Sequence, residues 1–337
     1  MRIGIDAMGG DRAPLEEVRG ALAARDLITD GDRIVLVGDE KQILAHLDGS
    51  ADWQDFIEVR HASEAIGMNE SPVEALRAKP DSSIAVLAQM HRNGDVEATI
   101  SAGNTGACVA AAQMRLRRLP GVHRPGIAII TPTPAGPVAV CDVGANVNCR
   151  PLHLQQYAVM SSLYLKAATD VKDPRVGLLS VGEEETKGNE LVKKTRELLS
   201  ADKSVNFIGN VESRDLFTGA CDVMVCEGFV GNVVLKLMEG MATGVILGMI
   251  RELGRMLPSL GLGGGEEFLK KAAQTFMGKY DFNEYGGAPL LGISGICIIC
   301  HGASDQRGIK NAVLSAKKFA EHQVNEQIIQ QLSEGRE

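Results

Sequence analysis

The sequence predicts a layered α/β fold on a largely parallel, partly mixed sheet. Apolar runs of strand length alternate with helical periods along most of the chain. Several of these runs end in a polar, glycine-containing turn that leads directly into a helical pattern; the clearest is Ser101-Ala-Gly-Asn-Thr-Gly-Ala107. Two runs, at 127–131 and 138–143, are joined only by Pro132-Thr-Pro-Ala-Gly-Pro137, which reads as a hairpin and makes the sheet mixed.

In chain order, strands are predicted at 3–7, 34–38, 56–60, 98–101, 127–131, 138–143, 176–181, 205–208, 223–226 and 296–301. Each is a short apolar run bounded by polar or turn-forming residues. Helices are predicted at 15–27, 41–47, 83–92, 105–119, 152–168, 191–199, 230–257, 266–277, 305–321 and 324–332, where apolar residues recur at helical spacing. The glycine-dense tract Gly261-Leu-Gly-Gly-Gly265 lies between two helical patterns and reads as the loop of a protruding helix–turn–helix excursion spanning 233–277.

The length of 337 residues suits one large α/β domain or two lobes. Hydrophobic residues make up 45% of it but aromatics only 4%, so Val, Ile, Leu, Ala and Met must fill the core. The net charge of −8 argues against a nucleic-acid partner, whose binding surface is normally basic. The scattered cysteines read as reduced core thiols in a cytoplasmic protein. Cys297 and Cys300 fall in an apolar run whose strand alternation would turn them to opposite faces, so a buried structural role is expected rather than a metal or redox pair. The chain enters a strand at once, so no signal peptide is expected, and no unbroken apolar run reaches the roughly 20 residues that span a bilayer.

Chemistry is sought at the strand ends, where open α/β sheets bind ligands. The candidates are Asp6-Ala-Met-Gly-Gly-Asp11, Ser63-Glu64, Ser101–Ala107, Asp142-Val-Gly-Ala-Asn146, Gly182-Glu-Glu-Glu-Thr-Lys-Gly188, Glu227-Gly-Phe-Val-Gly-Asn232 and His301-Gly-Ala-Ser304. Taken singly, each is also an ordinary turn with a helix cap. The first lacks the spacing of a dinucleotide fingerprint, and no Walker A lysine is present. Lys187 stands at a predicted helix start, where the helix dipole disfavours a cation and a bound phosphate would explain it; a solvated lysine among Glu183, Glu184 and Glu185 is the alternative. Asn232 reads either as an amide donor or as a helix cap, and His301 either as a general acid or as a packed core histidine. No His pair has metal-ligand spacing and no Gly-x-Ser-x-Gly elbow occurs, so no metal site is expected and positioning with charge neutralisation is favoured over a covalent nucleophile.

Ile5-Asp-Ala-Met-Gly-Gly-Asp-Arg-Ala-Pro14, Ser101-Ala-Gly-Asn-Thr-Gly106, Asp142-Val-Gly-Ala-Asn146, Gly182–Gly188, Gly209-Asn-Val-Glu212, Gly228-Phe-Val-Gly-Asn-Val233 and Glu284-Tyr-Gly-Gly-Ala-Pro-Leu-Leu-Gly292 together resemble the bacterial phosphate acyltransferase (PlsX) family, nearly end to end. The resemblance implies a single domain over 1–337 and a three-layer α/β/α sandwich, similar to isopropylmalate dehydrogenases and phosphotransacetylases. It also implies a homodimer and no cofactor. The implied reaction moves a fatty acyl group from acyl carrier protein to inorganic phosphate, giving acyl phosphate for phospholipid synthesis. The family's lysine and asparagine fall on Lys187 and Asn232. Glu227 and Ser161 depart from its pattern without removing a catalytic candidate.

Phosphate is already an anionic nucleophile; it needs a cradle and alignment with a thioester carbonyl. The expected site joins catalytic Lys187 and Asn232 to a phosphate and substrate shell of Asp6, Gly9, Gly10, Ser101, Gly103, Asn104, Thr105, Gly106, Asn146, Glu183, Gly231 and His301, with Asn232 or a backbone N–H near Gly231 stabilising the oxyanion. All are expected to converge on one pocket. The Met-rich amphipathic stretch at 233–262 reads as core or dimer packing in preference to peripheral membrane contact. The rivals are a phosphate acetyltransferase using an acyl-coenzyme A and a non-catalytic membrane-docking protein.

Overall fold

The computed structural model describes residues 1–256, 268–272, 275, 278 and 281–334. Eleven strands form one sheet: β1 (Arg2–Asp6), β2 (Arg33–Gly38), β3 (Ile57–His61), β4 (Ala98–Ser101), β5 (Gly126–Thr133), β6 (Gly136–Cys141), β7 (Arg175–Leu179), β8 (Asn206–Val211), β9 (Val223–Val225), β10 (Ala288–Leu291) and β11 (Ile296–Ile299), in the order β3-β2-β1-β4-β11-β10-β5-β6-β9-β7-β8. The flanking helices are α1 (Leu15–Ala23), α2 (Glu40–Leu47), α3 (Pro72–Ala78), α4 (Ser83–Asn93), α5 (Thr105–Arg115), α6 (Pro151–Ala168), α7 (Glu190–Ala201), α8 (Gly228–Met256), α9 (Gln306–Glu321) and α10 (Val324–Glu334).

Strand alternation divides the core into two layers. In β11, Ile296 and Ile298 pack with residues of α1, α2, α6, α9 and α10, whereas Cys297 and Ile299 pack on the other face with residues of α3, α4 and α5 and with Val234, Leu235 and Met238 of α8. Cys300 falls in the first layer and Cys297 in the second, so the two face opposite sides, as expected. All the cysteines are unpaired and all but Cys149 are buried. The result is the α/β/α layering with a mostly parallel sheet and the 127–143 hairpin that the sequence predicts.

Direction within the sheet decides where the strand ends go. β10 runs antiparallel to β11, and β5 antiparallel to β10, so β5 points the same way as β11. β6 turns back on β5, and β9, β7 and β8 follow β6. The carboxyl ends of β1, β4 and β11 therefore lie on one edge, and those of β6, β7 and β9 on the opposite edge.

Several elements differ from expectation. β10 contains Pro289 and follows two glycines, a composition that reads as turn; the strand exists because β5 and β11 flank it. The seven-residue α3, with Pro72 in its first turn, is too short for a helical period to register. α5 stops at Arg115 rather than near 119, because the chain must extend for Leu119 N to donate to Gly292 O (3.0 Å). The Gly261–Gly265 loop and half of the predicted 266–277 helix lie outside the described residues, and the described part, 268–272 and 275, is helical.

α8 is 29 residues long, with a mean hydropathy of 1.7 over its most apolar window. By length and composition alone it could cross a bilayer, which the search for an unbroken apolar run does not register because charged residues interrupt it. None of that window is fully buried among the described residues, although Val234, Leu235 and Met238 are partly buried against the core. Val233, Leu237, Met241, Val245, Met249 and Leu253 recur every four residues and are all exposed, forming one ridge.

Candidate active site

The edge at β6, β7 and β9 is organised by one buried carboxylate. Asp142 follows β6, fully inaccessible to solvent. Its Oδ1 accepts the N–H groups of Ile127, Gly144 and Ala145 at 2.9–3.1 Å. Its Oδ2 accepts Asn146 N at 2.7 Å and Asn146 Nδ2 at 3.2 Å. Burial pushes this carboxyl above its ordinary range, and the N–H donors pull it back. Asn146 is spent in the same network: its amide also donates to Pro125 O (2.6 Å) and to the buried Tyr157 hydroxyl (2.9 Å). Asn146 thus shapes the turn and has no donor left for phosphate.

The start of α8 packs into that turn. A Cβ on Gly231 would fall 1.9 Å from Asp142 O, and one on Gly228 2.6 Å from Asn146 O, so only glycine permits the approach. Gly231 N donates to Glu227 O (3.0 Å), which removes it as an oxyanion donor. Glu227 also caps the helix, its carboxylate accepting Phe229 N (2.7 Å) and Val230 N (3.0 Å). A carboxylate therefore already holds the anion position at this helix end. Asn232 is exposed one residue on, with its side chain beside Gly144.

Lys187 belongs to the loop after β7, on the same edge. The loop folds back through Lys187 N to Glu184 O (3.0 Å), and Asn210 Nδ2 supports it on Glu184 O (3.0 Å). Gly188 carries φ +95, a conformation suited to glycine, and a Cβ there would also strike Val192. The stem of Lys187 lies against Gly182. Its ammonium is exposed and makes no hydrogen bond or ion pair among the described residues. Glu183 is exposed in the same loop. Lys187 precedes the Asn189 cap of α7, where Asn189 Oδ1 accepts Val192 N (2.9 Å).

The opposite edge, at β1, β4 and β11, holds the other predicted residues. Ser101 Oγ donates to buried Asp6 Oδ2 (2.7 Å) and accepts Gly103 N (3.1 Å). Burial pushes the Asp6 carboxyl up. A Cβ on Gly9 would lie 2.6 Å from Gly103 N, so Gly9 lets the two strand-end loops touch. Gly10 N donates to Glu17 Oε1 (3.1 Å); Glu17 is buried, its Oε2 has no hydrogen-bond partner among the described residues, and burial raises its carboxyl to about 7. Asn104 caps α5 by accepting Ala107 N (3.0 Å), while its amide donates to the carbonyls of Gly67, Met68 and Glu70 at 3.0–3.2 Å. Its polar atoms bind the 67–70 loop and carry no free donor to a ligand. Thr105 follows as the first residue of α5, and Gly106 packs on Pro72.

His301 is not a packed core histidine. Its Nε2 lies 3.3 Å from Lys236 Nζ, and Lys236 pairs with Glu239 (2.7 Å). α8 thus starts at the Asp142 turn and crosses to the His301 edge.

Strand direction sorts the predicted residues into two groups along the sheet. Lys187, Glu183, Asn146, Gly231 and Asn232 share one edge. Asp6, Gly9, Gly10, Ser101, Gly103, Asn104, Thr105, Gly106 and His301 share the other, because the central hairpin reverses the second half of the sheet. Sequence reasoning missed Asp142, Glu17 and Lys236 as organising residues. Asp142 opens a motif whose asparagine alone draws attention in the sequence; Glu17 reads as an ordinary helix-face acid and Lys236 as half of an i,i+3 ion pair with Glu239, whereas its contact with His301 lies 65 residues away.

The fold places the chain among known α/β enzymes. It superposes on a phosphotransacetylase from Streptococcus pyogenes with a TM-score of 0.63 at 15% identity, covering 95% of this chain and 94% of that one. It superposes on a 4-hydroxythreonine-4-phosphate dehydrogenase from Klebsiella pneumoniae with a TM-score of 0.52 at 14% identity, covering 95% and 99%. Those likenesses define the fold class alone. Residues 1–327 match the family described as "Fatty acid synthesis protein". The chain is 48% identical to a phosphate acyltransferase of Desulforamulus reducens, covering 95% of this chain and 94% of the relative, and 46% identical to that of Geobacter sulfurreducens, covering 98% and 94%. It belongs to the phosphate acyltransferase family and is an acyltransferase.

Proposed function

We propose that the protein transfers a fatty acyl group from the thioester of acyl carrier protein to inorganic phosphate. A phosphate oxygen attacks the thioester carbonyl, the tetrahedral intermediate collapses, and the C–S bond breaks to give acyl phosphate and the carrier thiol. Lys187 holds and neutralises the phosphate, and Asn232 donates its amide to the developing oxyanion. The observation that carries this is an exposed ammonium without a partner among the described residues, on the same sheet edge as Asn232. Membership in a family whose relatives are named phosphate acyltransferase supports the acceptor. Exposed Val147, Val181, Phe229 and Val233 flank the same motifs and suit an aliphatic substrate.

Purified protein with acyl carrier thioester should give hydroxylamine-trappable acyl phosphate only when phosphate is present. Loss of the thioester without any phosphate requirement would refute the acceptor. Turnover of acyl-coenzyme A but not of the carrier thioester would favour the other donor, the reading supported by the phosphotransacetylase fold.

The α8 ridge suits a second copy of the chain, with the active dimer cytoplasmic and in peripheral contact with membranes. Leu253→Glu places a carboxylate on that ridge and should shift the protein from dimer to monomer by light scattering. An intact dimer that no longer floats with liposomes would assign the ridge to the membrane instead.

A further inference from the structure

A second charged feature lies on the Lys187 edge. A cavity of about 1360 Å³ is lined by Arg92, Arg115, Arg117, Arg118 and Arg124, and no Asp or Glu among the described residues lines it. The chain as a whole carries −8, so this concentration runs against its composition. Arg92 and Arg115 occupy the last turns of α4 and α5, where they offset the helix dipoles. Arg118 donates to His123 O. Arg117 and Arg124 have no such local role: both are exposed, and neither side chain forms an ion pair among the described residues. Pro125 also lines the cavity, and its carbonyl accepts the Asn146 amide of the turn that supports Asn232. The basic cavity therefore adjoins the catalytic edge through one residue.

We infer that this arginine-lined concavity docks the acidic face of the protein that carries the acyl thioester, next to Asn232. The inference rests on the carrier-protein reading of the donor. A single phosphate would leave most of the volume empty and most of the arginines unpaired. A flat bilayer does not enter a concavity. An acidic protein surface matches both the extent and the sign of the charge, and charge complementarity of this kind governs encounter and KM more than the chemical step. The arginines then hold the donor while Lys187 and Asn232 act on its thioester.

The test compares wild type with Arg117→Glu/Arg124→Glu, using acyl carrier thioester and the uncharged acyl-pantetheine as donors. The double variant should raise KM for the carrier thioester at least tenfold, with kcat and acyl-pantetheine turnover within twofold of wild type. Wild-type KM for the carrier should climb with added salt, and the variant's should not. An unchanged KM for the carrier overturns the docking site, as does an equal loss with both donors. Loss of binding to anionic vesicles with an unchanged carrier KM assigns the arginines to lipid and overturns it too. A wild-type enzyme inert toward the carrier thioester but active with acyl-coenzyme A refutes the donor reading itself, a result separable from all of these. Circular dichroism of the variant controls for folding.

Discussion

Lys187→Ala is expected to lower acyl phosphate formation by about a hundredfold or more, the scale of losing one preorganised charge partner of the reacting groups. The fold should be unaffected, because the ammonium makes no contact that stabilises the chain among the described residues. Lys187→Arg should recover only part of the activity, since a planar guanidinium presents its donors differently from a point-like ammonium. Trapping the product as acyl hydroxamate measures the loss, and a thermal melt checks the fold. Wild-type turnover in Lys187→Ala would remove the residue from the mechanism. A lowered melting temperature would mean that it serves the fold.

Asp142→Ala should have the largest effect on stability. It deletes the acceptor of four backbone N–H groups and one side-chain amide, all drawn into a buried turn. Breaking a buried charged network of this kind costs about 3–5 kcal/mol, with a fall of about 5–10 °C in Tm. Asp142→Asn should recover little of this, because one of its two acceptor positions becomes an NH₂ that faces N–H donors. Activity should fall with stability, since Asn232 packs on the Asp142 turn. A near-wild-type melt for Asp142→Ala would show that water satisfies those donors and that the carboxylate is dispensable.

The two kinds of effect separate cleanly in the residues themselves. Motifs rich in glycine and asparagine were read from sequence as ligand cradles, and much of their conservative chemistry goes into the chain. Asn104 binds three carbonyls of the 67–70 loop, Asn146 ties Asp142 to Pro125 and Tyr157, and Ser101 donates its hydroxyl to the buried Asp6. These side chains look alike in sequence because a turn cap and a ligand donor call for the same short polar groups. Only the count of satisfied donors distinguishes them. Lys187 passes that test, with no partner among the described residues, and Asn104 and Asn146 do not.

Periodicity and composition alone determined the layered α/β class, the central hairpin, the opposed burial of Cys297 and Cys300, and the strand–turn–helix units that carry Lys187 and Asn232. Those are local properties, set by side-chain spacing along a single stretch of chain. The tertiary structure alone decided which strand ends share an edge, because direction depends on how β10 and β5 are inserted between β11 and β6. It alone gathered Arg92, Arg115, Arg117, Arg118 and Arg124 around one cavity and left the α8 ridge exposed among the described residues. Both outcomes come from long-range pairing and packing, which no local pattern encodes.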